Sequence, residues 1–525
     1  MKATRRQFVA GVGAAAAGIA STGMIAEAEP KKNKPAGRPN ILVIMTDQHS
    51  KHFLGCYGNQ IVRTPNLDRL ASEGMRFTSA YCPAPLCVPS RMAFMTGRTP
   101  SRNRVWNNQG ILGTIPTWAH VLSAAGYETS LIGRMHFKGP DQRHGFENRP
   151  IGEPSASHPG CGFVCTEPDK KCSAHYHGGS GQSRSCVTRA GRGKTTYQYF
   201  DEQRIPKACE YLRQHAKSQD RPFAAVLGLT LPHCPFIAPK ELYGYYAKHV
   251  DLPRIEQDQP ATIRRFREVR GILTPPSEHQ IRVARAAYYG MCEHVDSLIG
   301  QALDTLEQTG LAENTLVVYT TDHGEMAGDH GCWWKSNYYE GSAGVPLVAR
   351  LPGRIAPGSV SGAVCGLMDL GPTLAEIAGK GMPDASGRSL WSTMQGRHPK
   401  SWNDETYSEL CDSRGGFLPS RMIRSGKWKL WTYVDSANLP PALFNLENDP
   451  GELHDLGRDP KYADVRKELL AKIHADWHPE AVRRDTIQAT KDYNTLARWG
   501  RAVNPPCPDM MKIPPPSYEA NVELL

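Results

Sequence analysis

The chain has 525 residues, with 62 Lys+Arg against 52 Asp+Glu, a formal net charge of +10 and a mean hydropathy of −0.48. That length asks for one large domain and a smaller one, and the composition, 40% hydrophobic and 22% charged, is that of an ordinary globular protein. No run of about 20 apolar residues is present, which excludes an ordinary transmembrane helix, and the basic residues are spread without helix-turn-helix or zinc-finger spacing, which argues against a nucleic-acid partner.

The N-terminus reads as a targeting segment. Arg5 and Arg6 precede a weakly apolar Ala/Gly stretch, and Ala26-Glu27-Ala28 follows as a small-residue cleavage site. This order resembles a bacterial twin-arginine export signal over residues 1–28, with a linker over 29–39. It implies the twin-arginine export machinery as a partner and a periplasmic or extracellular destination. Cleavage removes Lys2, Arg5, Arg6 and Glu27 and takes the net charge from +10 to +8. That modest excess favours anionic partners.

Four short apolar runs then read as buried strands: "NILVIM" at 40–45, "TSLIG" at 129–133, "FAAVLGLTL" at 223–231 and "TLVVYTT" at 315–321. Helical patterns fall at 64–74, 118–126 and 288–310. Helices alternating with continuously apolar strands predict an α/β fold, with a large, mostly parallel sheet covered on both faces. This main domain spans 40–400. Residues 151–198 lack periodicity and read as a surface insertion, and a second irregular stretch lies near 250–278. From 401 to 525 the pattern changes. "MIRSGKWKLWTY" reads as a hairpin turning near Ser425-Gly426, "ALFN" as a strand and "VRKELLAKIHADWH" as an amphipathic helix. The C-terminal part is therefore a smaller α+β domain with an antiparallel sheet.

Each apolar run ends in chargeable residues. Asp47-Gln48-His49 follows the first, Arg134-Met135-His136 the second, Pro232-His233 the third and Asp322-His323 the fourth. Open α/β sheets bind ligands beyond the carboxyl ends of their strands. A single Asp there is commonly a turn residue, but four such endings predict a site. Asp47 and Asp322, with Gln48 and His323 beside them, suit a hard divalent cation such as Ca²⁺. His323 is the odd member, since nitrogen is a poor calcium ligand; contact with substrate is its alternative role.

"PLCVPSRMAFMTGR" places Cys87 at what reads as a helix start, with Pro89 and Ser90 behind it. A cysteine there is a packed apolar residue, half of a disulfide, or a reactive group aimed at an anion. The free N–H groups of a helix start favour an anion. Arg91 adds a fixed charge, and Arg134, His136, Lys138, His233 and Lys335 add donors. Several cations and one metal around one nucleophile predict a sulfate or phosphate ester as substrate.

"Cys87-Val88-Pro89-Ser90-Arg91" followed by "MAFMTGR" resembles the signature of the type I sulfatases. "ILVIMTDQHS", "GYETSLIGRMHFKGPDQRHGF", "LPHCPF", "VVYTTDHGEMAGDHG", "WWKSNYYEGSAGVPLV", "MDLGPTLAEIAG" and "LFNLENDPGELHDL" look like successive blocks of that family. The resemblance implies an alkaline-phosphatase-like fold, with 40–400 as the catalytic domain. It implies that a formylglycine-generating maturation enzyme converts Cys87 to formylglycine (3-oxoalanine). One hydroxyl of the hydrated aldehyde attacks sulfur and the alcohol leaves. The second hydroxyl then lets the hemiacetal collapse, releasing sulfate. A serine lacks that second route. The resemblance further implies Ca²⁺ held by Asp47, Gln48, Asp322, His323 and the modified Cys87. Asp322 would help deprotonate the nucleophile, and Arg91 and His136 would hold and activate it. Arg134, His233 and Lys335 would bind sulfate oxygens or protonate the leaving group. The family usually has lysine where Arg134 stands, and Lys138 partly compensates. Its metal motifs are often Asp-Asp and Asp-Asn, where this chain has Asp47-Gln48 and Asp322-His323.

The substrate expected is a sulfate ester, with a sulfated glycan favoured by the insertions; choline and aryl sulfates stay open. The rival within enzymes is a phosphonate or phosphate monoester hydrolase, and outside enzymes an inactive saccharide-binding relative. Cys161, Cys165 and Cys172 with His175 and His177 have the composition of a zinc site, but disulfides, with Cys186 as a fourth cysteine, are the expectation for an exported loop. Lys170, Lys171, Arg184, Arg189, Arg192 and Lys194 either line the pocket mouth for a polyanion or form a solvated loop. His294 and Asp296 read as structural. Of Trp333, Trp334, Tyr338 and Tyr339, some are core, and one ring is free to stack on a sugar.

Overall fold

All four apolar runs form strands of one eight-stranded sheet. In the computed structural model, which describes residues 37–110, 113–154, 158–160, 166–167, 181–218, 220–256, 258–506, 509–515, 519 and 521–525, these strands are β1 (Asn40–Thr46), β2 (Met75–Phe77), β3 (Glu128–Gly133), β4 (Asn148–Ile151), β5 (Phe223–Gly228), β6 (Thr315–Thr321), β7 (Leu347–Arg350) and β8 (Ser359–Ser361). Their order across the sheet is β8-β2-β7-β6-β1-β5-β3-β4. β7 runs antiparallel to both of its neighbours, and the other pairings are parallel. β1 lies at the centre, with Ile41 opposite both Ala224 and Leu316. Every residue of β1, β5 and β6 is buried. That is why these strands read as unbroken apolar runs rather than as alternation.

The helices that matter here are α1 (Pro65–Ser72), α2 (Cys87–Thr96), α3 (Trp118–Ala124), α4 (Thr196–Lys217), α5 (Glu278–Gln308), α6 (Leu370–Ile377), α7 (Ala463–His474) and α8 (Pro479–Val503). α5 begins ten residues before its predicted start, at a capping box in which Ser277 and Gln280 exchange side-chain and backbone hydrogen bonds. The stretch 250–278, expected to be irregular, contains a helix over Ala261–Val269 that buries Thr262, Ile263 and Phe266. Its apolar stripe is only two large residues wide, too little to stand out among arginines. α4 starts at Thr196, inside the expected insertion, on a second capping box made by Thr195 and Gln198.

After residue 400 comes a four-stranded antiparallel sheet of β9 (Glu405–Asp412), β10 (Leu418–Ser425), β11 (Trp428–Tyr433) and β12 (Ala442–Asn445), in sequential order. The hairpin joining β10 to β11 turns at Gly426, with φ +52°. Ile423, Leu430 and Leu443 of this sheet share a small core with Leu469 and Ile473 of α7. Among the described residues, no helix is long and apolar enough to cross a membrane.

Two glycines decide how β3 and β5 deliver their ends. A Cβ on Gly228 would lie 1.8 Å from the Arg134 carbonyl oxygen. Gly133 has φ +95°, and a Cβ there would lie 2.4 Å from the Gly228 oxygen. Only glycine permits both the left-handed turn and the close approach, so the chain leaves β3 hard against β5 and sets Arg134 beside β1.

Asp296 is structural, as expected. It accepts from the Asn66 and Leu67 backbone N–H groups at 3.2 and 2.9 Å, holding the start of α1. Burial raises its carboxyl from 3.8 to about 6. A carboxyl raised in the folded state binds more protons than in the unfolded chain, so its stabilising contribution is present below pH 3.8 and is lost as pH rises to about 6. The shift corresponds to about 3 kcal/mol, at 1.36 kcal/mol per unit. Denaturant unfolding of wild type and Asp296→Asn at pH 4 and pH 6.5 is expected to show wild type losing stability relative to the variant at the higher pH. A pH-independent difference would contradict this account.

Candidate active site

The four predicted strand ends converge on the N-terminus of α2. Cys87 is the first residue of that ten-residue helix, and all ten are buried. Leu86 before it supplies no side-chain cap. Pro89 has no N–H to lose, while Asn108 Oδ1 takes the Val88 N–H at 3.1 Å. Cys87 Sγ lies 3.2 Å from His323 Nε2 and 3.8 Å from Asp47 Oδ1. Donor atoms of Asp47, Cys87, Asp322 and His323 all lie within 4.8 Å of one another.

Two arginines hold the carboxylates. Arg91 Nε donates to Asp322 Oδ2 at 2.8 Å and Nη2 to Asp47 Oδ2 at 3.1 Å, all three side chains being buried. Arg134 Nε donates to the same Asp47 oxygen at 2.7 Å. Burial pushes the Asp47 carboxyl up, but Arg134, His233 and Arg91 overcome this and hold it well below the usual carboxylate range. His323 Nδ1 faces the Gly324 carbonyl at 3.0 Å, which makes Nδ1 the donor and leaves the Nε2 lone pair towards Cys87. Burial draws this imidazole down to about 4, so it is neutral at physiological pH, as a metal ligand must be. The thiol of Cys87 is pushed up to about 12, first by burial and then by Asp47. As a plain cysteine it is a protonated, weak nucleophile.

The remaining predicted residues surround the same point. Lys335 Nζ donates to Gln48 Oε1 at 2.5 Å and to His233 Nε2 at 2.8 Å, and His233 Nδ1 donates to the Cys234 carbonyl at 2.6 Å. Arg134 Nη2 donates to His136 Nδ1 at 2.9 Å, so the free donor of His136 is Nε2–H. Burial, with Arg134 and Lys138 nearby, holds this imidazole well below its ordinary value and neutral. Burial also lowers the Lys138 ammonium. Gln48 and His136 adopt left-handed backbone, at φ 67° and 59°, and so do Trp334 and Ser336 on either side of Lys335, at 65° and 67°. Each such residue costs roughly 1–2 kcal/mol, strain of the kind that collects at functional sites.

A cavity of about 580 Å³ opens over this cluster, bordered by Cys87, Arg134, His136, Lys138, His233 and Lys335. Four features of it were not legible in the sequence. Glu153 accepts from the Met135 and His136 backbone N–H groups at 3.2 and 2.5 Å and from Arg134 Nη1 at 3.2 Å, fixing the turn after β3. Glu325 takes Gln48 Nε2 at 2.5 Å, turning the other end of the amide towards Lys335. Tyr197 of α4 and Tyr493 of α8 form further walls. Glu153 lies in the aperiodic insertion and α8 carries few large apolar residues, so neither advertised itself.

Three expectations change. Trp333, Trp334, Tyr338 and Tyr339 are all buried core residues and border neither large cavity, so none is placed to stack on a sugar. Arg184, Arg189, Arg192 and Lys194 also border neither cavity; Arg184 is bonded to backbone carbonyls of residues 271–275, Arg192 to Glu523 and Lys194 to Glu202. The thiol of Cys186 is hydrogen-bonded to Gly181 and Cys234. Lys170, Lys171, Cys161, Cys165, Cys172, His175 and His177 lie outside the described residues.

A mostly parallel sheet whose strand ends gather two carboxylates, an imidazole, a helix-start cysteine and several cations suits a hydrolase of anionic esters, and similarity to known proteins places the chain on the alkaline-phosphatase-like fold. The Sulfatase family model matches residues 39–380, and that of the N-sulphoglucosamine sulphohydrolase C-terminal region matches 328–477. A choline-sulfatase of Rhizobium meliloti is 35% identical over 444 residues, covering 81% of this chain and 83% of its own. Among solved structures, a phosphonate monoester hydrolase of Agrobacterium radiobacter superposes with a TM-score of 0.68 at 24% identity, covering 83% of this chain and 95% of that one. Another, solved with its substrate D-glucosamine-2-N,6-O-disulfate, gives 0.64 at 22% identity, covering 88% and 99%. The chain belongs to the sulfatase family and is a sulfuric ester hydrolase.

Proposed function

We propose that this is an exported, calcium-dependent sulfatase that acts on a sulfated saccharide with a formylglycine made from Cys87. The observation that carries this reading is the position of Cys87 Sγ at the start of buried α2, 3.2 Å from His323 Nε2 and on the wall of a cation-lined cavity. Asp47 and Asp322 offer hard carboxylate oxygens that suit a divalent cation, with residue 87 beside them, while the unprotonated nitrogen of His323, a poor calcium ligand, lies within reach of the cation or of the substrate. Bound there, calcium supplies Lewis-acid polarisation of the ester. The hydrated formylglycine supplies an oxygen nucleophile and a route for releasing sulfate.

The chain's own residues account for the rest. Asp322, fixed by Arg91, takes the proton of the nucleophile. Arg134 gives three of its five N–H groups to Asp47, Glu153 and His136, so its first task is to position these groups, and it keeps two donors at the cavity wall. Gln48 has both amide ends engaged, by Glu325 and Lys335, and we assign it to holding Lys335 rather than to the metal. Lys138 and His136 Nε2–H bind sulfate oxygens. The Lys335–His233 pair protonates the leaving alcohol. The export reading rests on Arg5, Arg6 and the 26–28 cleavage site, outside the described residues.

The likeness to a phosphonate monoester hydrolase keeps that activity as the second reading. Protein matured in a host carrying a formylglycine-generating enzyme is expected to show an aldehyde mass in the Cys87 peptide. It should hydrolyse 4-nitrophenyl sulfate faster than the matching phosphate or phosphonate, lose activity on chelation and regain it with calcium. A retained thiol in active protein, or a faster phosphonate reaction, overturns the proposal.

A further inference from the structure

A second cavity, of about 720 Å³, adjoins the first. Gln109, Lys138, Ala489 and Tyr493 border both, so a substrate seated in one reaches the other past Lys138. The chemistry of the two differs. The first presents Arg134, Lys138 and Lys335 around the nucleophile. In the second, Arg104 is paired with Asp485 at 3.3 Å, and Asp141 and Asp492 are further carboxylates on the wall. Among the described residues, carboxylates outnumber cations there.

The second cavity also has aromatic walls, with the amides of Asn103, Gln109 and Gln488 among its lining. Trp499 of α8 is 44% exposed on its rim and packs edge-on to His158, with ring centroids 5.4 Å apart. Trp106 and His144 border it while only 3% and 2% exposed. Aromatic faces with polar edges suit the apolar face and hydroxyl rim of a sugar ring. The excess of carboxylates disfavours an anion.

We infer that the second cavity seats the sugar unit next to the sulfated one, and that this unit is uncharged. The inference rests on the saccharide reading above and deepens it: the substrate carries its sulfate at one end and a neutral ring beyond, rather than charge along its length.

The test compares matured enzyme on three substrates: 4-nitrophenyl sulfate, a monosulfated disaccharide whose neighbouring unit is a neutral hexose, and the same disaccharide with a hexuronate there. The neutral disaccharide is expected to be preferred over the uronate by at least about tenfold in kcat/KM. Trp499→Ala should lower the ratio of kcat/KM for the neutral disaccharide to that for the aryl sulfate by about tenfold, equivalent to about 1.4 kcal/mol. Asp492→Lys should shrink the gap between neutral and uronate substrates. Equal or better turnover of the uronate, or an unchanged ratio in Trp499→Ala, overturns the inference while leaving the sulfatase reading intact. Failure to turn over even the aryl sulfate overturns the parent reading and this one with it.

Discussion

Cys87→Ala is expected to hydrolyse 4-nitrophenyl sulfate at the rate of buffer alone, a loss of at least about 10⁴ in kcat/KM, the scale seen when an enzyme nucleophile is removed. The fold should survive. The side chain lost is small, and its contacts at 3.2 and 3.8 Å are to His323 and Asp47 rather than to the packed core. Unfolding transitions of variant and wild type should therefore nearly coincide. Cys87→Ser is the sharper case. A serine hydroxyl at the head of α2 has the same neighbours but no second hydroxyl with which to expel sulfate, so it should complete at most a single turnover. A pre-steady-state burst of aryl alcohol no larger than one per enzyme, followed by silence, is the expected trace. Sustained turnover by either variant would show that residue 87 is not the nucleophile.

Arg91→Ala has the largest expected effect on stability. Arg91 is buried and bridges Asp47 and Asp322, themselves buried. Its removal leaves Arg134 to face Asp47 and leaves Asp322 without its guanidinium. Breaking a buried ion pair from one side costs about 3–5 kcal/mol, because the remaining charge stays buried and uncompensated. Chelated Arg91→Ala should be the least stable form and should recover more on adding calcium than wild type does. Arg91→Lys should restore only part of the stability, since one ammonium cannot reproduce the fork that reaches two carboxylates and the Thr46 and Arg134 carbonyls. Urea midpoints with and without calcium decide this; a loss under 1 kcal/mol in the chelated state would contradict the account.

The central strands were legible because β1, β5 and β6 are buried on both faces and so write continuous apolar runs. Their polar endings were legible for the same reason: Asp47, His233 and Asp322 break those runs abruptly, as Arg134 does after β3. β2, β7 and β8 were not read, since three or four residues carry too little pattern to separate a strand from a loop. Glu153 and Glu325 were missed for a different reason. Each acts on another side chain across the fold, Glu153 on Arg134 and Glu325 on Gln48, and nothing local in "IGEPS" or "HGEMA" encodes that partner. Gln48 shows the same limit. Its place beside Asp47 suggested a ligand, and its contacts with Glu325 and Lys335, on which the proposed positioning role rests, come from residues far along the chain.

The burial of α2 also sets a clock. Cys87 is 2% exposed at the head of a helix with no exposed residue, so the maturation enzyme of the proposed function would have to reach it before the chain closes over it. The residue that closes nearest, His323, emerges 236 positions later. At about 5–20 residues per second, translation leaves roughly 10 to 50 seconds between the appearance of the cysteine and the arrival of the strand that seals it in. If the proposed maturation were slower than this, folded molecules would accumulate with residue 87 still a thiol.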